Sequence, residues 1–142
     1  MQIEIKRLND LFHLEAQNEA GRRVQSDGSP AIGGNNLGMR PMEMLLSALG
    51  SCSAIDVILF LKKMRQPLED IQVRVQGERN ASQMPSPFTH IHIHYMLYGA
   101  LDSQKAERAI RMSAEKYCSV SRHLEKSVPI SWDFSILPAE DL

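Results

Sequence analysis

Short alternations of apolar and polar residues open the chain. Ile3 and Ile5, with Leu8 after them, alternate with charge as one face of a half-buried strand does. Residues 11–16 and 22–26 are two further short strand candidates, with Asn18 and Gly21 supplying turn chemistry between them. The pattern then stops at Asp27-Gly28-Ser29-Pro30 and Gly33-Gly34-Asn35-Asn36-Leu37-Gly38, a long glycine-rich loop. A helical pattern begins at Pro41, which suits a first turn because its missing N–H has no intrahelical partner there. Glu43 lies in the same turn, where the helix dipole favours a carboxylate. The pattern runs over residues 41–65 and is apolar on nearly all sides, so it predicts a long, buried central helix, with Gly50-Ser51 as a point of possible break. Lys62, Lys63 and Arg65 close it, and Pro67 follows as a stop.

Beyond the helix the period returns to two. Ile71, Val73 and Val75 alternate with Gln72, Arg74 and Gln76. After a loop holding Pro85 and Pro87, Ile91, Ile93 and Tyr95 alternate with His92 and His94, which predicts an antiparallel partner strand. Gly99 turns the chain, and Asp102 or Ser103 caps a helix expected to run to about Tyr117. A second helical piece is expected over residues 119–126. Ile130, Trp132, Phe134 and Ile136 then form a last strand. This order predicts an α+β fold with a mainly antiparallel sheet, built as one domain over residues 1–142.

Composition narrows the function classes. The 142 residues are 43% hydrophobic and 23% charged, which is globular, and the net charge of −1 excludes a strongly basic nucleic-acid grip. Residues 44–61 hold one charge, Asp56, and approach the length of a membrane span. Ser47, Gly50, Ser51, Ser53 and Asp56 through its middle favour a helix buried in protein instead. The N-terminal residues lack the pattern of a signal peptide, so a cytoplasmic protein is expected, with no membrane and no nucleic-acid partner.

The two cysteines, Cys52 and Cys118, are 66 positions apart and form no CxxC motif. Cys52 sits among small residues, Gly50-Ser51-Cys52-Ser53-Ala54, which leave room for a ligand or another backbone. A free thiol is only a few per cent thiolate at neutral pH, so a reactive one needs an arginine or backbone N–H groups nearby. An inert buried cysteine is the plain alternative. Asp56 follows one turn later; it would oppose a thiolate it touched, or else pair with a base or cap a local break. Cys118 falls where one helix is expected to end and another to start, a place that favours thiolate; a core cysteine on an amphipathic helix is the alternative. Two cysteines at helix junctions make a candidate peroxidatic and resolving pair. His90, His92 and His94 share one strand face and could bind a metal with a cysteine, but a solvated sheet face accounts for their alternation. His13 and His123 stand alone. GxSxG, GxxxxGK[ST], HExxH and GxGxxG motifs are absent from the sequence.

The run Arg40-Pro41-Met42-Glu43-Met44-Leu45-Leu46-Ser47-Ala48-Leu49-Gly50-Ser51-Cys52 resembles the (N/R)PxExLLxAxxxC signature of the OsmC/Ohr family, the osmotically inducible and organic hydroperoxide resistance proteins. Glu115-Lys116-Tyr117-Cys118-Ser119-Val120-Ser121 resembles the family's second cysteine motif, and the stretch from Gly50 to Asp56 is most similar to an uncharacterised OsmC-like subgroup. The resemblance implies an intertwined homodimer with the central helices packed together. It implies that Cys52 attacks a hydroperoxide, that Cys118 closes a disulfide with the resulting sulfenic acid, and that a dithiol reductant, lipoyl or otherwise, reopens it. It needs no metal and no cofactor. Family members hold the thiolate with an arginine and the arginine with a glutamate. Glu43 matches the glutamate. For the arginine there is no single counterpart; Arg40 and the pair Arg22 and Arg23 are the candidates. The resemblance therefore implies a thiol-dependent peroxidase reducing organic hydroperoxides and hydrogen peroxide. The alternative is a non-enzymatic redox sensor, or a binder of a small apolar ligand, on the same fold.

Overall fold

A computed structural model describes residues 1–142, which fall into two compact units, 1–45 and 46–142. In the first unit β1 (Ile3–Arg7), β2 (Leu14–Asn18) and β3 (Arg23–Ser26) form an antiparallel sheet in that order. The register sets Ile5 opposite Ala16, and Ala16 opposite Val24, so one face is apolar. Ile3, Ile5 and Val24 are nevertheless 55%, 66% and 45% exposed. Such a short three-stranded sheet needs its apolar face covered to be stable. The second strand begins later than the sequence pattern suggests. Asn9 Oδ1 accepts the N–H groups of Leu11 and His13, which holds that stretch as a turn.

The helix α1 (Pro41–Lys63) is continuous, with no break at Gly50-Ser51. Gly50 instead serves close approach. A Cβ there would lie 2.8 Å from Val75 Cγ2 on the neighbouring strand. In the second unit β4 (Asp70–Arg79) pairs antiparallel with β5 (Phe88–Tyr98), and β5 pairs parallel with β6 (Ile130–Leu137). Val73 faces Tyr95 and Val75 faces Ile93 across one ladder; Ile93 faces Trp132 and Tyr95 faces Phe134 across the other. The apolar alternations of all three strands therefore land on one face, as period-two side chains must when the register is set by burial.

The core of this unit joins Leu49, Val57 and Leu61 of α1 to the inward face of β5 and to Ala106, Ala109 and Ile110 of α2 (Ser103–Met112). Asp102 caps α2 by accepting the Lys105 N–H. The expected single helix to Tyr117 divides: α2 ends at Met112, a π-turn spans Ser113–Tyr117, and α3 is Ser119–Leu124. These three pieces form the crossover that the parallel β5–β6 pair requires. The 23-residue α1 is long and apolar enough to cross a membrane by length and composition. Its packing is that of a core helix on one side only: Leu49, Gly50, Ser53, Val57 and Leu61 are buried, whereas Ile55, Ile58 and Leu59 are 66%, 43% and 45% exposed. Burial on nearly all sides, expected from the composition, is thus not met within one chain.

Candidate active site

Two elements of the second unit present the chemistry. On α1, Cys52 and Asp56 are four residues apart and so share a face, with Ser53 beside them turned into the core. In the crossover, the Cys118 N–H donates to the Ser113 carbonyl at 2.9 Å, closing a turn one residue wider than an α-helical one. That wider turn places Ser113 and Cys118 toward α1. One carboxylate oxygen of Asp56 and the Sγ atoms of Cys52 and Cys118 lie within 4.8 Å of one another. Cys52 is half-buried, and Cys118 is fully buried.

A chain of buried hydroxyls anchors the carboxylate. Ser113 Oγ donates to Asp56 Oδ2 at 3.1 Å, lies 2.9 Å from Ser53 Oγ, and Ser53 Oγ lies 2.5 Å from the Tyr95 hydroxyl. The Ser113 proton has a second acceptor, the Ser53 carbonyl at 3.4 Å, but the shorter bond to the carboxylate is the stronger. With that proton committed, Ser53 donates to Ser113 and Tyr95 donates to Ser53. Every donor in the chain then points toward Asp56. Burial pushes the Tyr95 phenol up to about 12, partly offset by the Ser53 bond, with the nearby Cys118 and Asp56 adding to the rise.

Of the two readings open for Cys118, the structure places it as a core cysteine. It caps α3, with Sγ accepting the Ser121 N–H at 3.4 Å, yet its thiol is not favoured as thiolate. Burial pushes it up to about 11; the Ser121 N–H opposes the rise, and the neighbouring Cys52 thiol adds to it. A six-residue helix offers too little dipole to offset the loss of water. Asp56 takes neither of the roles open to it in the sequence, pairing with a base or capping a break. It accepts from Ser113 beside both thiols.

The remaining site candidates belong to the first unit. Asp27, 3% exposed, organises the glycine-rich loop by accepting the N–H groups of Gly28, Asn35 and Leu37. The Leu37 N–H is the main reason its carboxyl is held below the usual range. Arg40 folds its guanidinium onto this loop, donating to the carbonyls of Asp27 and Gly38 and to Asn36 Oδ1. Glu43 accepts the backbone N–H of Arg40 at 2.8 Å, closing the helix entry as a capping carboxylate does. The Arg23 guanidinium donates to Gln17 Oε1, and the Arg22 backbone N–H donates to Asn18 Oδ1.

The histidines lie on the other face of β5 from Tyr95. His92 Nε2 and His94 Nδ1 sit 2.8 and 2.7 Å from Asp133 Oδ1, and His90 and His92 both contact Ser131 Oγ. His94, then His92, lowers the Asp133 carboxyl. Imidazoles and thiols therefore do not converge, and the mixed cysteine–histidine metal centre weighed from the sequence is not assembled. Cys52, Asp56 and Cys118 supply three donors, one short of the closed set of a structural zinc site, and Asp56 is already engaged by Ser113. They are two thiols with a carboxylate beside them. Ser53, Tyr95 and Ser113 escaped sequence reasoning. Their signal was faint: a serine within an apolar helix, and a tyrosine at an inward position where isoleucine would pack as well.

The model of the family described as OsmC-like protein matches residues 33–133, a stretch that includes both cysteines. This chain belongs to the OsmC-like family. Protein YhfA of Escherichia coli strain K12 is 38% identical over 140 residues, covering 98% of this chain and all of YhfA. The crystal structure of a hypothetical protein from Aquifex aeolicus VF5 is 30% identical, superposes with a TM-score of 0.79, and is matched over 96% of each chain. The organic hydroperoxide resistance protein OhrB of Bacillus subtilis shares the fold, at 14% identity and a TM-score of 0.67, over 95% of this chain and 98% of OhrB. The OsmC-like α+β fold, expected from the two cysteine motifs, is the fold this chain adopts, as two three-stranded sheets with helices.

Proposed function

We propose that this OsmC-like protein is a thiol-dependent peroxidase that reduces organic hydroperoxides, and hydrogen peroxide with them. The observation that carries the reading is the approach of Cys52 Sγ and Cys118 Sγ within 4.8 Å, one sulfur half-buried and the other enclosed. Cys52, the reachable thiol, attacks the O–O bond and becomes a sulfenic acid while an alcohol leaves. Cys118 then displaces water to form the disulfide, and a dithiol, a lipoyl group among the candidates, restores both thiols. A reactive thiol needs a positive partner, and Arg40, Arg22 and Arg23 are the arginines from which it is drawn, with Glu43 as the carboxylate at the helix entry. The working form is a homodimer of 1–142 domains. The uncovered apolar faces, Ile3, Ile5 and Val24 on the first sheet and Ile55, Ile58 and Leu59 on α1, support a second copy as their cover. The protein works in the cytoplasm, where thiols are kept reduced.

The test is steady-state turnover with an organic hydroperoxide and a dithiol, compared with hydrogen peroxide. Wild type should consume peroxide, and Cys52→Ser should not. Full activity in Cys52→Ser defeats the reading. A wild-type disulfide that forms with peroxide but is never turned over by any dithiol points to a redox sensor instead.

A further inference from the structure

The buried thiol poses a chemical difficulty that the reachable one does not. To close a disulfide, Cys118 must lose its proton, and it must do so 0% exposed to water. The leaving hydroxide of a Cys52 sulfenic acid must gain a proton as it departs. Within its own unit, the titratable groups that bear on Cys118 are Cys52, Asp56 and Tyr95. Tyr95 is spoken for, since its hydroxyl donates into the chain through Ser53 and Ser113. Asp56 is the one carboxylate among them, and one of its oxygens lies within 4.8 Å of both sulfurs. Its Oδ2 is held by Ser113 at 3.1 Å, which orients the carboxylate.

We infer that Asp56 is the proton shuttle of disulfide closure, acting as general base to Cys118 and then as general acid to the oxygen leaving Cys52. This rests on the reading of Cys52 and Cys118 as a peroxide-reducing pair. The Cys118 S–H bond breaks and its proton passes to an Asp56 oxygen. The sulfur electron pair forms the bond to Cys52 Sγ, and the Cys52 S–O bond breaks. The departing hydroxide takes the proton from Asp56 and leaves as water. The carboxylate is restored, the thiol sulfur is oxidised and the sulfenic sulfur reduced, each by one, so no outside oxidant enters. The chain from Tyr95 is the positioning part: its hydroxyls all donate toward Asp56, so they steady the carboxylate without competing for the proton it receives.

The step can be read without peroxide. An aromatic disulfide, 5,5′-dithiobis(2-nitrobenzoate), releases one coloured thiolate when Cys52 captures it and a second when Cys118 displaces the mixed disulfide. In Asp56→Asn the first release should stay within a few-fold of wild type. The second should slow by about 10²-fold or more at neutral pH, the usual scale of general base catalysis. Its rate should then rise about tenfold per pH unit, as free thiolate becomes the only nucleophile. Asp56→Glu should recover part of the rate. A second release at wild-type speed in Asp56→Asn overturns the inference. If Asp56→Asn does not fold, the wild type decides: base-assisted closure is nearly flat with pH around neutrality, and a tenfold rise per unit overturns it. A wild type that closes the disulfide from the aromatic reagent but consumes no hydroperoxide defeats the proposed function and leaves Asp56 in its role. A wild type that gives a single release overturns both.

Discussion

Replacing Ser53 with alanine should break the hydroxyl chain at its middle. Ser53 is 1% exposed and Tyr95 is 0% exposed, so no water replaces the lost oxygen at either side. The substitution removes contacts of 2.5 Å to Tyr95 and 2.9 Å to Ser113. Ser113 keeps acceptors in Asp56 Oδ2 and the Ser53 carbonyl. The Tyr95 hydroxyl loses its partner, Ser53 Oγ. A buried hydroxyl left without a partner costs about 1–3 kcal/mol, and the second lost bond adds about 1 kcal/mol, so Ser53→Ala should cost about 2–4 kcal/mol. At this chain length that is roughly 6–12 °C in melting temperature. Adding Tyr95→Phe removes the stranded hydroxyl. The double variant should therefore be more stable than the sum of the singles, with a coupling of about 1–2 kcal/mol by urea unfolding. Singles that add to within about 0.5 kcal/mol would refute the chain as an energetic unit.

Four further outcomes follow from other contacts. Gly50→Val should cost about 1–3 kcal/mol in urea unfolding, because the new Cβ would sit 2.8 Å from Val75 Cγ2; an unchanged midpoint would contradict the close approach. Tyr95 is raised to about 12 in the fold against about 10 unfolded, so its contribution is complete below about pH 10 and is lost as pH climbs toward 12, about 2–3 kcal/mol in all. Unfolding free energy measured over that window should fall less steeply in Tyr95→Phe, and identical slopes would count against the burial of the phenol. Cys118→Ser should allow one peroxide turnover and then accumulate sulfinic acid at Cys52, visible as a gain of two oxygens by mass spectrometry; repeated turnover without that product speaks against Cys118 as the resolving thiol. Asp133 is lowered by His94 and His92, so the stabilisation it brings is present above the ordinary carboxylate range and fades as pH drops through its folded value; Asp133→Asn should flatten that acid limb while leaving peroxide turnover unchanged, and a loss of turnover would bring the histidine face into the chemistry.

Much of the fold was legible because burial and register speak through simple periods. The alternations at Ile71–Val75, Ile91–Tyr95 and Ile130–Ile136 sit on one face because a slip of one residue would have turned every side chain outward. Local rules misread two places. Gly50 looked like a helix break, but a glycine in a helix also marks close approach to a neighbour, and here that neighbour is β4. The division of the second helix at Ser113 leaves no trace in apolar spacing, since a π-turn adds only one residue. The two thiols were legible from their motifs, and their enclosure was not. Whether a helix cap carries charge or is stripped of water depends on what packs over it, and Cys118 is covered by residues far away in sequence. Asp56 was visible as an oddity in an apolar helix. Its partner, Ser113, is 57 positions downstream, a distance over which no spacing argument reaches.

The parallel seating of β6 bears on how the chain is made. β5 is the middle strand of its sheet, yet one of its two edges is paired only by residues 130–137, which follow it by the length of the whole crossover. A chain emerging from a ribosome therefore exposes the β5 edge, with Ile91, Ile93 and Leu97 beside it, while α2, the π-turn and α3 are still being synthesised. An unpaired apolar edge is the surface on which nascent chains aggregate. A stop codon before Ile130 would leave that edge open permanently, so truncated products should be insoluble even though both cysteines and the whole of α1 are present.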